Sequence, residues 1–220
     1  MGRPPELQRI RGDYRVRSGN RPAERTETAM RIVGGNLRGL KLAELGEGDR
    51  AAHLRPTSDR VRESIFNLLI NGAYGNPVPQ ARVLDLFAGT GALGLEALSR
   101  GAAHVTFVDD GAKARSLIRT NIERARAMGV TDLWRRDATR MGDNRGTPFS
   151  LIFLDPPYGQ SLGEAAMFSA LTGGWFAPGA MIVWEESRSP IIPAPLTQID
   201  QRRYGDSIVT LARMPGASCL

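Results

Sequence analysis

Cysteine is almost missing from this 220-residue sequence: one, Cys219, stands next to last. That scarcity excludes a disulfide framework and a cysteine-rich metal site, and no metal is expected. Long apolar runs are missing as well. No window approaches the ~20 consecutive apolar residues of a membrane span. The basic, polar N-terminus has no apolar signal core behind it, so a cytoplasmic protein without a membrane partner is expected. Lysine is scarce, and arginine supplies nearly all of the positive charge. Residues 1–65 carry 14 Lys and Arg against 9 Asp and Glu, a net of +5 out of the whole chain's +6. An arginine-rich third beside a near-neutral remainder points to a polyanion, because guanidinium groups pair with phosphate in bidentate fashion and stack on bases. The competing reading is a solvated surface in an arginine-biased proteome.

What is present suffices for one sizeable core, with 41% hydrophobic residues. Residues 1–29 have no helical or strand period and are rich in Arg, Pro and Gly, so they read as a disordered tail, with Met30 a candidate start. Residues 30–78 read as a small extension. "MRIVGGNLRGLKL" is two short segments around Gly34, Gly35 and Asn36, a β-hairpin pattern. "LRPTSDRVRESIFNLL" is a helix that Thr57 or Ser58 can cap and whose positive end suits Asp59. Its apolar face is Val61, Ile65, Leu68 and Leu69, which leaves Arg60 and Arg62 for a partner. From residue 79 short apolar strands alternate with helical stretches, the mark of a parallel α/β sheet. Strands are expected near 82–86, 105–108, 132–135, 151–154 and 180–185, and helices over 92–99, 112–128 and 163–171. "LTQIDQRRYGDSIVTLARM" closes the chain as an antiparallel hairpin turning at Tyr204, Gly205 and Asp206.

"VLDLFAGTGALGLEAL" runs from a strand through a glycine loop into a helix. Gly89 and Gly91 permit a sharp turn and a close backbone approach to a ligand that faces the helix N-terminus. The loop Phe87, Ala88, Gly89, Thr90, Gly91 is therefore a candidate cofactor cradle. Asp109 ends the next strand, placed to accept hydrogen bonds from ribose hydroxyls. A nicotinamide enzyme and a methyltransferase both use that geometry. Asp85 separates them: a carboxylate at the ligand edge repels a pyrophosphate but suits the cationic amino-acid end of S-adenosylmethionine. Asp137 and Ala138, past the third strand, reach the same edge, where an adenine amino group can be bound.

"FLDPPYG" sets Asp155, Pro156, Pro157 and Tyr158 directly behind a strand, at the sheet edge that carries ligands in such folds. An exocyclic amine has its lone pair delocalised into the base ring, and methylation requires that pair to point at the incoming carbon. Asp155 and the Pro156 carbonyl can each accept one N–H bond, Pro157 stiffens the turn, and Tyr158 can stack on the base. Most isolated D-P-P strings are merely proline-rich turns with a capping Asp. Here the glycine loop and Asp109 occupy the neighbouring strand ends.

With those motifs quoted, the chain from Met30 to about Met214 resembles the RsmD-type family of bacterial 16S ribosomal RNA guanine-N2 methyltransferases. "RIVGGNLRGLKL" and "LRPTSDRVRESIFNLL" carry the resemblance most specifically, joined by "LDLFAGTGALGLEALSRGA" and "FLDPPYG". The resemblance implies a class I S-adenosylmethionine-dependent methyltransferase: a Rossmann-like, mostly parallel sheet with a closing antiparallel hairpin, plus an N-terminal hairpin and helix. It implies as substrate one guanine of 16S ribosomal RNA within an assembling small subunit; a monomer is expected. Asp85, Gly89, Gly91, Asp109 and Asp137 match the family's cofactor positions, and Asp155 to Tyr158 its catalytic turn. Arg31, Arg38, Arg55, Arg60 and Arg62 of the extension are the expected RNA contacts. The tail before Met30 and Gly111 depart from the family pattern. Rival readings are a DNA adenine-N6 methyltransferase, a nicotinamide oxidoreductase, and a non-catalytic RNA-binding assembly factor on the same fold.

Overall fold

The computed structural model describes residues 30–44 and 57–217. The expected tail, Arg55 and Cys219 lie outside the described residues. Helix α1 (Asp59–Asn71) precedes the alternating region β1 (Arg82–Leu86), α2 (Ala92–Ser99), β2 (His104–Val108), α3 (Ala112–Ala125), β3 (Thr131–Trp134), β4 (Phe149–Leu154), α4 (Leu162–Thr172) and β5 (Phe176–Glu186). Strands β6 (Thr197–Tyr204) and β7 (Ser207–Arg213) close the chain. Their seven-stranded sheet has the order β3-β2-β1-β4-β5-β7-β6. Strands β1 to β5 pair in parallel, and β7 pairs antiparallel with both β5 and β6.

Because side chains alternate across a sheet, each strand divides between two cores. Val83, Phe107, Phe153 and Val183 join residues of α1, α2 and α3 on one face. Leu84, Leu86, Ile152, Leu154 and Trp184 join Ala166, Met167 and Ala170 of α4 on the other. Asp85 alternates with the first set. Asp155 and Glu185, two residues beyond Phe153 and Val183, continue that alternation onto the same side, which is the side α1 covers. The order reverses between β1 and β4, and a crevice opens there at the strands' C-terminal ends.

The N-terminal segment is a minimal form of the expected hairpin, turning over residues 34–39. Its two arms share one isolated antiparallel bridge, Arg31 to Lys41, made by Ile32 N to Leu40 O and Leu42 N to Met30 O, and one further backbone bond, Gly39 N to Ile32 O. A longer ladder fails to form because α2 takes the donors instead. Glu96 accepts from the amides of Val33 and Gly34, each at 2.8 Å, and Ser99 Oγ accepts from Leu37 N at 2.8 Å. The contact explains the glycine pair. A Cβ on Gly34 would sit 2.3 Å from the Arg100 guanidinium, and one on Gly35 1.9 Å from the Ser99 carbonyl oxygen. Met30, Ile32 and Leu42 are buried in the same core as α1 and β1, so the extension packs as part of the domain.

Candidate active site

Helix α1 reaches the crevice by its N-terminus. Ser58 is the residue that caps it, accepting from Val61 N at 3.3 Å. Thr57 instead donates its hydroxyl to Asp155 Oδ2 at 2.6 Å, a bond between residues 98 apart in sequence. Phe66 holds the helix down on β4, its ring 5.7 Å from that of Phe153. Arg62 corrects an expectation. It is fully buried, donating to the Arg31 carbonyl at 2.7 Å and paired with Asp59, and burial lowers its pKa against the pull of Asp59 and Glu96. It serves the fold and is not available to RNA. Arg31 approaches Asp59 at 3.7 Å while staying half exposed. Arg38 and Arg60 are exposed, and neither pairs with a carboxylate among the described residues.

The glycine loop leaves β1 through Phe87, Gly89 and Gly91, all at positive φ (58°, 58° and 78°). For Phe87 that region is strained, and strain of this kind concentrates at functional sites. Gly94 lies against β2, where a Cβ would come 2.4 Å from the Phe107 ring. Asp109 ties the loop: Oδ2 accepts from Gly89 N at 2.9 Å and Oδ1 from Gly111 N at 2.8 Å. Each oxygen keeps a lone pair for a further donor. Burial raises the Asp109 pKa, opposed by those two amides. Asp85 is almost wholly buried, accepts from Gly94 N at 3.0 Å, and is pushed up to about 8 by burial, with Asp109 adding repulsion. Asn121 of α3 buttresses the loop from behind, donating to the Thr90 and Ala43 carbonyls and accepting from Ala43 N.

The D-P-P-Y turn faces this loop across one cavity of about 910 Å³. Phe87, Ala88, Gly89, Thr90, Asp85, Asp109 and the whole of Asp155 to Tyr158 line it, as do Arg60 from the first turn of α1 and Thr57 just before its cap. Asp155 is held well above the usual carboxylate range, first by burial and then by the charge of Glu185; the Thr57 hydroxyl opposes both. Tyr158 is anchored at its phenol, which bonds Glu185 Oε1 at 3.1 Å and Ser207 Oγ at 2.9 Å. Asp137 and Ala138 sit apart from the lining. Asp137 caps a short 3-10 turn by accepting from the Thr139 amide and hydroxyl at 2.8 and 2.7 Å. Gly91 contributes the turn into α2 rather than a wall.

Several lining residues were not singled out from sequence: Thr57 as a partner of Asp155, Glu185 and Ser207 behind Tyr158, and Arg203 at the tip of the β6–β7 hairpin. The crevice rule that found Asp155 also finds Glu185, the strand-end carboxylate of the next strand.

Fold and site together define a class I methyltransferase: the strand order, the glycine loop at the β1 end, and an acidic D-P-P-Y turn at the β4 end. Residues 30–213 match the model of the family described as conserved hypothetical protein 95, and the chain belongs to that family. Ribosomal RNA small subunit methyltransferase D of Escherichia coli K12 is 39% identical over 169 residues, 75% of this chain and 80% of that protein. Its Haemophilus influenzae namesake is 35% identical, covering 80% and 89%. The solved structure of yhhF from Escherichia coli superposes with a TM-score of 0.72 at 34% identity, covering 86% of this chain and 99% of that one.

Proposed function

We propose that this protein methylates the exocyclic N2 amine of one guanine in 16S ribosomal RNA, within a small-subunit particle, using S-adenosylmethionine. The observation that carries the proposal is the shared cavity, with a glycine-loop cradle at one end and a fixed acceptor carboxylate, Asp155, at the other. The residues fit the cofactor. Positive-φ glycines admit close approach, the Asp109 carboxylate has spare lone pairs for ribose hydroxyls, and buried Asp85 suits a cationic amino-acid end. Asp137 and Ala138 lie on the adenine side by sequence position and reach a ligand only beyond the present cavity wall. When bound, S-adenosylmethionine supplies a methyl group on a positively charged sulfur, whose bond electrons return to sulfur as the acceptor nitrogen bonds the carbon.

Everything else falls to the chain. Asp155 Oδ2 is fixed by Thr57, which leaves Oδ1 to accept one N–H of the amine and turn its lone pair toward the methyl. In this proposal the Pro156 carbonyl accepts the second N–H, and the two prolines, by fixing φ, limit the conformations of the turn. A nitrogen that has gained a methyl must give up a proton, and a carboxylate with raised proton affinity beside it is a competent acceptor. The base must leave its stack to enter the cavity. Exposed Arg38 and Arg60, with Arg203 on the opposite rim, are suited to hold the flanking phosphates. Arg31 can contribute from its half-exposed position, and Arg55 lies on the segment between the hairpin and α1.

Labelled S-adenosylmethionine incubated with small-subunit particles from cells lacking the gene, with protein-free 16S RNA and with duplex DNA tests this directly. Label confined to the particles is the expected result. Label in duplex DNA instead would favour the adenine-N6 reading.

A further inference from the structure

Glu185 has no assigned role, yet it lines the cavity and is held there by two hydroxyls. Its Oε1 accepts from two hydroxyls, Ser207 Oγ at 2.8 Å and Tyr158 OH at 3.1 Å. Its Oε2 is buried and has no hydrogen-bond partner among the described residues, and the residue as a whole is 4% exposed. A buried carboxylate oxygen without a donor is costly and rare, and one that lines a ligand cavity is an acceptor waiting for a ligand donor. Parallel pairing sets Phe153 beside Val183 and Leu154 beside Trp184. Continued by one residue, the register sets Asp155 beside Glu185 on neighbouring strands, side chains on the same side of the sheet. The two are close enough for the Glu185 charge to raise the proton affinity of Asp155.

Two adjacent acceptors ask for two adjacent donors. Guanine presents N1–H next to its N2 amine on the Watson–Crick edge. Adenine presents a bare N1 lone pair next to its N6 amine, and a carboxylate facing that lone pair repels it. We infer that Glu185 reads guanine, accepting N1–H on Oε2 while Asp155 accepts one hydrogen of the N2 amine, and that this pair of strand-end carboxylates excludes adenine. The inference rests on the proposed guanine-N2 reaction and names the group that makes the site choose that base. Tyr158 and Ser207 are positioning residues in this arrangement: by occupying Oε1 they aim Oε2.

The test uses small-subunit particles whose 16S RNA carries, at the guanine that the wild-type enzyme modifies, either guanine or 2-aminopurine installed by ligation of a synthetic segment. The analogue keeps the N2 amine and replaces N1–H by a lone pair. Wild-type enzyme is expected to methylate the analogue about 10- to 100-fold less efficiently in kcat/KM, the range for losing a hydrogen bond to a charged group. In Glu185→Gln the two hydroxyl donors hold the amide oxygen and leave its NH2 toward N1, so the guanine-to-analogue ratio should fall to one or below. Loss of O6 in the analogue cannot produce that rescue. Glu185→Ala should lose guanine activity by a similar 10- to 100-fold while binding S-adenosylhomocysteine as wild type does. Equal wild-type rates on the two bases would overturn the inference without any variant. So would an unchanged ratio in a folded Glu185→Gln enzyme. If wild-type enzyme methylates no guanine N2 in the particle at all, the functional reading itself fails, an outcome distinct from an N2 methylase indifferent to N1.

Discussion

Replacement of Asp85 by Asn tests the electrostatics of the cofactor end. In the cofactor-free protein burial holds this carboxyl neutral up to about pH 8, whereas a solvated aspartate loses its proton near 3.8. The folded pKa is therefore raised. Its contribution to stability is fully present below the unfolded value and is lost as pH rises through the folded one. A rise of that size caps the loss at about 6 kcal/mol, and relaxation and water entry around an ionised group bring the real cost below that cap. Asp85→Asn keeps an oxygen for the Gly94 amide and removes the titration. Relative to wild type, the variant should gain little below about pH 4, progressively more as pH rises from there, and roughly 2 kcal/mol or more at pH 9, read by chemical denaturation. Binding is expected to move the other way. Below its raised pKa the carboxyl is mainly protonated, and a cationic amino-acid group placed against it favours ionisation, so binding near neutral pH should release protons. Calorimetry of S-adenosylmethionine in two buffers of different ionisation enthalpy measures that release. The variant should release markedly fewer protons and bind about 10-fold or more weakly. Equal proton release by wild type and Asp85→Asn at pH 7 would refute the assignment of Asp85 to the cationic end.

Three further perturbations separate the remaining roles. Asp155→Ala should abolish methyl transfer while S-adenosylhomocysteine affinity stays within about threefold, and Asp155→Asn should keep some activity through its amide oxygen; wild-type turnover in the alanine variant would remove Asp155 from the mechanism. Thr57→Val deletes a hydrogen bond that lowers the Asp155 pKa, so the acidic limb of the kcat profile should move to higher pH; an unmoved limb would show that the Asp155 titration does not limit the rate. Arg38→Ala combined with Arg60→Ala should weaken particle binding and reduce its salt slope by about one to two, leaving Tm unchanged because neither side chain pairs with a described carboxylate. An unchanged slope would place the RNA elsewhere.

Legibility varied with how local the determinants are. The expected bounds of β1 and α2 coincide with the observed ones, because the glycine loop follows β1 directly, with Phe87 already at positive φ, and Gly91 at positive φ starts the helix. The ends of β5 were read short by four residues at Phe176, whose pairing with Phe149 across a register shift depends on its neighbour strand. The N-terminal hairpin is shorter than its pattern suggests, since Glu96 and Ser99, more than 60 residues away, take amides that a longer ladder would use. Arg62 was placed at the edge of a helix face. Its burial depends on α1 packing on more than one side, and the one local sign was Asp59 three residues before it. Glu185 was legible in principle and overlooked, because an acid at the end of an apolar strand looks like an ordinary terminus until β4 and β5 are known to be neighbours.

The central claim is that one amine, on one base of 16S RNA, is methylated through Asp155. Mass spectrometry of nuclease-digested 16S RNA tests it most directly, in cells lacking the gene and in the same cells supplied with the wild-type or the Asp155→Ala chain. The expected result is one N2-methylguanosine at a single position, absent without the gene, restored by the wild type and not by Asp155→Ala. An identical modification map in all three, or a missing methyl group on adenine or outside the small-subunit RNA, would contradict it.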